Sequence, residues 1–235
     1  MTLSRLKPLR RLSHHLHRRS LAVTAAAVRQ DTTHWAQTPL VKVSPAAESL
    51  FHISVDISDS PELATSYTKA GQYLQLRLQD PRTRPAFFAI ASPPSITASE
   101  GVFEFLVKSI PAPQPRSFAD YRKPIRSLIE AGFGADRRSD VRLYYGARNL
   151  HRMAYQERFK EWESSGVNIV PVLSQPDDSW KGERGYVQTA FARAKRTFSP
   201  RSTGALLCGH KQMAEEVTSV LVSDGVSSEK ILKNF

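Results

Sequence analysis

Between Leu50 and Ser109 the chain alternates apolar and polar residues with a period of two. Phe51, Ile53, Val55 and Ile57 form one run, Leu74, Leu76 and Leu78 a second, and Phe103, Phe105 and Val107 a third. That is the pattern of strands with one buried face. DSPE, KAG, DPRTRP, SPP and SEG separate the runs as turns. Short antiparallel strands of this kind predict a small barrel or sandwich.

From Pro124 the rhythm becomes helix and strand in alternation. Ile125, Leu128 and Ile129 share one helical face, with Pro124 at the first helical position and Gly132 after the end. DVRLYYG reads as a strand. Tyr155, Phe159 and Trp162 stripe the next helix, which Gly166 stops. VNIVPVL is a buried strand, and GYVQTAFARAKRTF a helix with Val187, Ala190, Phe191 and Ala194 inward. GALLCG is another strand. Met213, Val217, Val220 and Leu221 stripe a last helix, stopped by Gly225. Strands alternating with helices imply a parallel sheet with right-handed crossovers. The fold class is therefore β followed by α/β. Thr38 to Ser109 form the β module, Pro124 to Phe235 the α/β module, and Ile110 to Lys123 an irregular junction holding Pro111, Pro113 and Pro115.

Length and composition fit this picture: 235 residues suit one large domain or two small ones. The net charge of +11 suggests a nucleic-acid partner until it is located. Residues 1–30 carry seven Arg or Lys and no acid, and setting them aside leaves +4. An Arg-rich, acid-free leader without an unbroken apolar core has the composition of a cleaved organelle transit peptide. A disordered basic arm for nucleic acid or anionic lipid is the alternative. No apolar run approaches the roughly 20 residues that cross a bilayer, so no transmembrane helix is expected. Cys208 is the single cysteine, so neither a disulfide framework nor an iron–sulfur cysteine set is available, and no metal site is expected.

Several short stretches, in order, resemble the ferredoxin–NADP reductase superfamily. They are GQYLQL from Gly71, FFAIASPP from Phe87, FEFLVKS from Phe103, then YYGARN, GERGYVQ, CGHKQM and a terminal aromatic, Phe235. Plant plastid FAD/NAD(P)-binding oxidoreductases are most similar. The resemblance implies an FAD-binding barrel followed by a Rossmann-like NAD(P)-binding domain, both incomplete here. It also implies hydride transfer between NAD(P)H and FAD, and chloroplast import with the mitochondrion second. Electrons would leave to an external acceptor, a small molecule or a redox protein.

The same resemblance assigns residues. Ile90, Ala91 and Ser92 stand in the flavin motif, whose arginine and tyrosine are here Ala89 and Ala91, and Val107 and Lys108 stand on the flavin-lining strand. A plain strand ending at a Pro-Pro turn also accounts for the first three. Gly146, Ala147 and Arg148 follow a parallel strand, where ligands bind at carboxyl ends. Arg184 and Tyr186 stand where relatives hold the adenosine 2′-phosphate and adenine; a guanidinium binds phosphate bidentately and a ring stacks. Ser174 is followed by Gln175 where the family has Ser-Arg, so one phosphate cation is kept and one lost, and NADPH is favoured over NADH only slightly. Gly209 and Met213 flank the nicotinamide site. Cys208 and Phe235 take the catalytic places, beside the nicotinamide and stacked on the flavin. A lone cysteine also fits as a small apolar filler.

One departure stands out. Relatives precede this helix with a central strand and a Gly-x-Gly-x-x-Pro loop that cradles the NADP pyrophosphate on backbone N–H groups. Here Pro124 follows Tyr121, Arg122 and Lys123, and neither the glycines nor the strand is present. The family's flavin-pyrophosphate turn and last barrel strands are also missing. The expectation is an internal deletion that leaves two strands of the parallel sheet without a shared partner and the barrel with an exposed edge. Three function classes result: a flavin oxidoreductase, a catalytically inactive shortened product, and a nucleic-acid binder that lapses once the leader is set aside.

Overall fold

The computed structural model describes residues 2–4, 35–77, 79, 85–109, 124–133, 138, 140–194 and 199–234. Leu78, Phe235, the junction at 110–123 and the leader apart from residues 2–4 lie outside the described residues.

The alternating runs of the first half pair antiparallel. β1 (Thr2–Ser4), β2 (Trp35–Gln37), β5 (Tyr73–Arg77) and β6 (Ala86–Ala89) form one sheet, ordered β2-β1-β5-β6. β3 (Leu40–Ala47), β4 (Leu50–Asp56) and β7 (Val102–Lys108) form a second, ordered β3-β4-β7. Every second residue faces one core, which holds Ile53, Val55, Leu74, Leu76, Phe88, Phe103 and Phe105. Each such side chain contributes about 1.5–3 kcal/mol on burial. The described strands make two sheets and not a closed barrel.

The second half is parallel. β8 (Val141–Ala147), β9 (Val167–Leu173) and β10 (Glu183–Arg184) run in the order β10-β9-β8, and β11 (Ala205–Cys208) pairs with β12 (Ile231–Asn234). Among the described residues the parallel strands thus lie in two separate pieces. Short helices cover them: α3 (Ile125–Leu128), α4 (Phe159–Ser164), α5 (Val187–Ala194) and α6 (Lys211–Ser223). The two modules share a core, in which Leu50 and Leu106 of the antiparallel sheet meet Ile129, Trp162, Val167 and Ile169.

Several local expectations need correction. DSPE and SPP are not turns but open two helices, α1 (Pro61–Ser66) and α2 (Pro94–Glu100), each with proline in its first turn, where the missing N–H has no partner to lose. Pro124 caps α3 instead of starting it, and the chain runs on through a wide turn to Gly132 at φ 85°. Tyr155 does not belong to the helix of Phe159 and Trp162: its backbone is left-handed at φ 66°, ahead of α4. Val220 is only half-buried, and Ala214 joins Val217 and Leu221 on the inner face of α6. Three leader residues, Thr2–Ser4, are paired as a strand and so depart from a wholly disordered leader.

Candidate functional site

The flavin-motif stretch ends β6 and enters the core. Ile90 and Ala91 are 1% exposed and Ser92 is fully buried. Their donors already have partners within the protein. Ile90 N–H donates to the Gln72 carbonyl at 3.0 Å, and Ala91 N–H to the Glu104 carbonyl at 2.7 Å. The Ser92 hydroxyl lies 3.0 Å from that of Thr97 and accepts from Glu104 N–H at 3.2 Å. Its carbonyl accepts from the Tyr67 hydroxyl at 2.7 Å. Burial pushes the Tyr67 phenol up to about 12, hydrogen bonding with Ser127 working the other way, so it stays a neutral donor. Val107 is buried in the same core, while Lys108 at the end of β7 is exposed.

Against this stretch sits α3, the first helix of the second module. Arg126 is 9% exposed and its guanidinium is bonded to Glu104 of β7. Its Nε donates to Glu130 at 3.0 Å. Glu130 also accepts from Arg158 at 2.9 Å and from the Trp162 indole at 3.4 Å. Desolvation works to lower the Arg126 pKa, but the two carboxylates outweigh it and hold the group above its ordinary value. A buried charge survives only when paired in this way. No sequence pattern pointed to this chain of charges, because Glu104 and Arg126 lie 22 residues apart on different modules.

His52 of β4 adjoins the network, its ring 5.1 Å from that of Tyr155. Desolvation depresses its pKa; Glu104 and Glu157 oppose the shift, and Arg126 and Arg158 add to it. A histidine whose folded pKa lies below its unfolded value takes up protons on unfolding. Stability is therefore lost as pH falls through about 6.5 toward the folded value, with a slope of at most about 1.4 kcal/mol per pH unit. Urea midpoints between pH 8 and 5 should fall less steeply for His52→Gln than for the parent. Parallel curves would count against this assignment.

The residues assigned to the dinucleotide gather at the carboxyl ends of β8, β9 and β10. Ser174 N–H donates to the Ala147 carbonyl at 3.0 Å and Gln175 N–H to that of Arg148 at 2.7 Å, so the ladder continues past both strands. Gly185 N–H reaches the Leu173 carbonyl at 2.8 Å, which sets Arg184 and Tyr186 beside them. Gly146 is required by packing, since a side chain there would meet Val187 Cγ2 at 2.6 Å. Arg148 and Arg184 are exposed, and Tyr186 is 66% exposed. Arg184 is steadied by donating to the carbonyls of Trp180 at 2.8 Å and Asp177 at 3.1 Å. A cleft of about 570 Å³ beside β9 takes in Arg184 with Lys181 and Arg193, two cations the sequence reading did not single out. Arg193 is ion-paired with Glu183.

Cys208 is half-buried at the end of β11. Gly209 follows with φ 145°, and a side chain there would come within 3.0 Å of Met213 Cε. β12 pairs Asn234 with Cys208; Phe235, which follows Asn234 in the chain, lies outside the described residues. Among the described residues no three His, Cys, Asp or Glu side chains converge as a metal site, and no helix is long and apolar enough to cross a membrane.

Comparison with known proteins adds the following. Residues 123–219 match the oxidoreductase NAD-binding domain family. The chain is 44% identical over 269 positions to fruit protein pKIWI502 of Actinidia deliciosa, across 94% of this chain and 85% of that one. Those 269 positions exceed the 235 residues of the chain, so the alignment contains positions that this chain does not fill. It is 29% identical over 114 residues to XylA, the xylene/toluene monooxygenase electron transfer component of Pseudomonas putida, across 46% of this chain and 31% of that one. Its fold is similar to a ferredoxin NADP+ reductase from Neisseria gonorrhoeae with bound FAD and NADP, at TM-score 0.68 and 12% identity over 84% of this chain and 96% of that one. The Amycolatopsis cytochrome P450 reductase GcoB gives TM-score 0.65 and 17% identity over 83% and 68%.

Proposed function

The chain belongs to the ferredoxin–NADP reductase superfamily, and from that premise we propose that it is an NAD(P)H-dependent flavin oxidoreductase whose nicotinamide half is the better preserved. FAD and NAD(P)H are the cofactors of that superfamily, the flavin supplying a ring that exchanges hydride with the nicotinamide and hands electrons on. The observation that carries the reading is the meeting of Ala147, Arg148, Ser174, Arg184 and Tyr186 at the carboxyl ends of three parallel strands. Ligands bind there in open α/β sheets.

Each residue has a task. The exposed Arg184 guanidinium holds a phosphate of the adenosine end, and the exposed Tyr186 ring stacks on the base. Gly146 and Gly209 let Val187 and Met213 pack tightly against the strand ends at which the ligand is bound. Cys208 positions the nicotinamide as a small polarisable neighbour. The dinucleotide side thus fits its group. The flavin side does not: the N–H groups of Ile90 and Ala91 are already bonded within the protein, and the Ser92 hydroxyl is taken up by Thr97 and Glu104 N–H. No step through the flavin is therefore assigned to this chain's residues. The acceptor is external; the XylA relative is by name an electron transfer component, and one cysteine cannot hold an iron–sulfur cluster of the four-cysteine kind.

Arg184→Ala tests the dinucleotide reading. NADPH binding should weaken by roughly 1–3 kcal/mol, the scale of a hydrogen bond to a charged group, with NADH nearly unaffected. Equal losses for both cofactors would overturn the 2′-phosphate assignment and the preference for NADPH.

A second reading, a shortened and catalytically inactive product, draws support from the two-piece parallel sheet and the unfilled alignment positions. The acid-free leader supports chloroplast import in either case. Residues 1–40 fused to a fluorescent reporter should direct it to plastids; a diffuse cytosolic signal would sink that idea.

A further inference from the structure

The first residues of the chain sit inside the antiparallel sheet. Thr2, Leu3 and Ser4 pair with Gln37, Ala36 and Trp35 on one side. On the other side they pair with Arg77, Leu76 and Gln75. β1 is thus an interior strand of three residues with two partners. β2 has no other strand partner among the described residues, and β5 has β6 on its far side. The hydrogen-bonded connection between β2 and β5 therefore runs through β1.

That connection links the two antiparallel sheets. β2 leads through Thr38 and Pro39 into β3, whose sheet continues to β4 and β7. β7 returns to the end of β6 through the bond from Ala91 N–H to the Glu104 carbonyl. Taken in turn, β6, β5, β1, β2–β3, β4 and β7 lead back toward β6. The strand the leader supplies fills the slot between β2 and β5.

Side chains on either side of β1 agree with its register. Ala36 packs on the core and Leu76 is 2% exposed, and both are backbone partners of Leu3. Arg77 and Trp35 partner the flanking positions Thr2 and Ser4, and the guanidinium lies 4.2 Å over the indole ring. A strand spacing of about 4.8 Å puts β2 and β5 about 9.6 Å apart, the width of one intervening strand. Only long side chains such as these reach across it.

We infer that Thr2–Ser4 is a structural strand of the flavin-side module, seated by main-chain hydrogen bonds in a slot between β2 and β5. This gives the leader a use besides targeting. While attached it holds β2 against the sheet; its removal leaves β2 and β5 as open edges, which an extended segment fits by strand addition.

Amide hydrogen exchange on the full chain tests this directly, because β2 amides are protected only if β1 is in place. The variants are Leu3→Pro, which removes a ladder donor and fixes φ, and Leu3→Val, which keeps both. Trp35–Gln37 should be protected in the parent and in Leu3→Val, and should lose at least tenfold in protection in Leu3→Pro. Leu50–Asp56 and Val167–Leu173 report whether the rest stays folded. Collapse of those segments too would still support the inference, since an unpaired leader residue cannot unfold the molecule. Unprotected β2 amides in the parent, or equal exchange in parent and Leu3→Pro, would overturn it.

Discussion

Replacing Arg126 with methionine is expected to destabilise the folded chain by about 3–5 kcal/mol, the scale for removing one partner of a buried ion pair. Arg126 is 9% exposed, and the side chains of Glu104 and Glu130 are 23% and 13% exposed, so water screens these charges little. The loss falls mainly on Glu104. Glu130 keeps Arg158 at 2.9 Å and the Trp162 indole, whereas Arg126 is the ion pair Glu104 makes among the described residues. Glu104 then stays half-buried beside the fully buried Ser92 with its charge uncompensated. Arg126→Met combined with Glu104→Gln should recover a large part of the loss, since two neutral groups of similar shape leave no orphan charge. Urea unfolding of the four chains gives the coupling energy. Because Glu104 belongs to β7 and Arg126 to α3, that energy also measures how firmly the modules are joined. A single loss below about 1 kcal/mol with no coupling would show that the contact is a solvated one.

The placement of Arg126 shows where sequence reasoning stops. Ile125, Leu128 and Ile129 mark one helical face, which assigns Arg126 to the solvent side. Burial of Arg126 and Ser127 is decided by the antiparallel sheet they meet, and nothing in a 3.6-residue period reports a carboxylate on another module. Period-two and period-3.6 patterns located β4, β7, β8, β9, α5 and α6, although Ala194, expected inward on α5, is exposed and Val220 on α6 is only half-buried. Short elements escaped it. α1 and α2 are six and seven residues long, too short for a stripe, and their opening prolines signal turn and helix start equally. β12 has four residues and β1 three, and both are fixed by partners distant in the chain. Tyr155 takes a left-handed backbone that no side-chain pattern announces. GERGYVQ could be set beside the ends of β8 and β9 because its short spacing survives folding intact, and Gly185 N–H ties it to Leu173. AIAS reads as the end of a strand, but the internal bonding of the Ser92 hydroxyl depends on Thr97 and Glu104 and could not be read from it.

The full-length chain is expected to purify with well under one flavin per molecule and to reduce ferricyanide with NADPH at least 100-fold more slowly than the usual enzymatic range of about 1–10³ s⁻¹. Three features lead to this. A flavin ring needs donors, and the N–H groups of Ile90 and Ala91 are bonded at 3.0 and 2.7 Å within the protein, while the Ser92 hydroxyl lies 3.0 Å from that of Thr97 and accepts from Glu104 N–H. Its pyrophosphate needs a cation or a backbone cradle, and alanine stands at position 89 where relatives have arginine, itself 3% exposed. Freeing one buried donor for a ligand leaves its old acceptor unsatisfied at about 1–3 kcal/mol, against a total stability of about 5–15 kcal/mol. The third feature is the parallel sheet in two pieces, with Ala147 ending β8 and Cys208 ending β11 on strands that share no partner among the described residues. Hydride transfer requires reacting atoms about 3–3.5 Å apart, and two strand ends without a common neighbour hold a nicotinamide less firmly. Visible absorbance per chain gives the flavin content, and titration with NADPH shows whether the nicotinamide half still binds. NADPH binding without flavin places the defect at the Ala89–Ser92 stretch. A yellow protein with one flavin per chain and turnover within the usual range would overturn the reading, and would mean that the Ser92 and Glu104 hydrogen bonds rearrange around the ring when it enters.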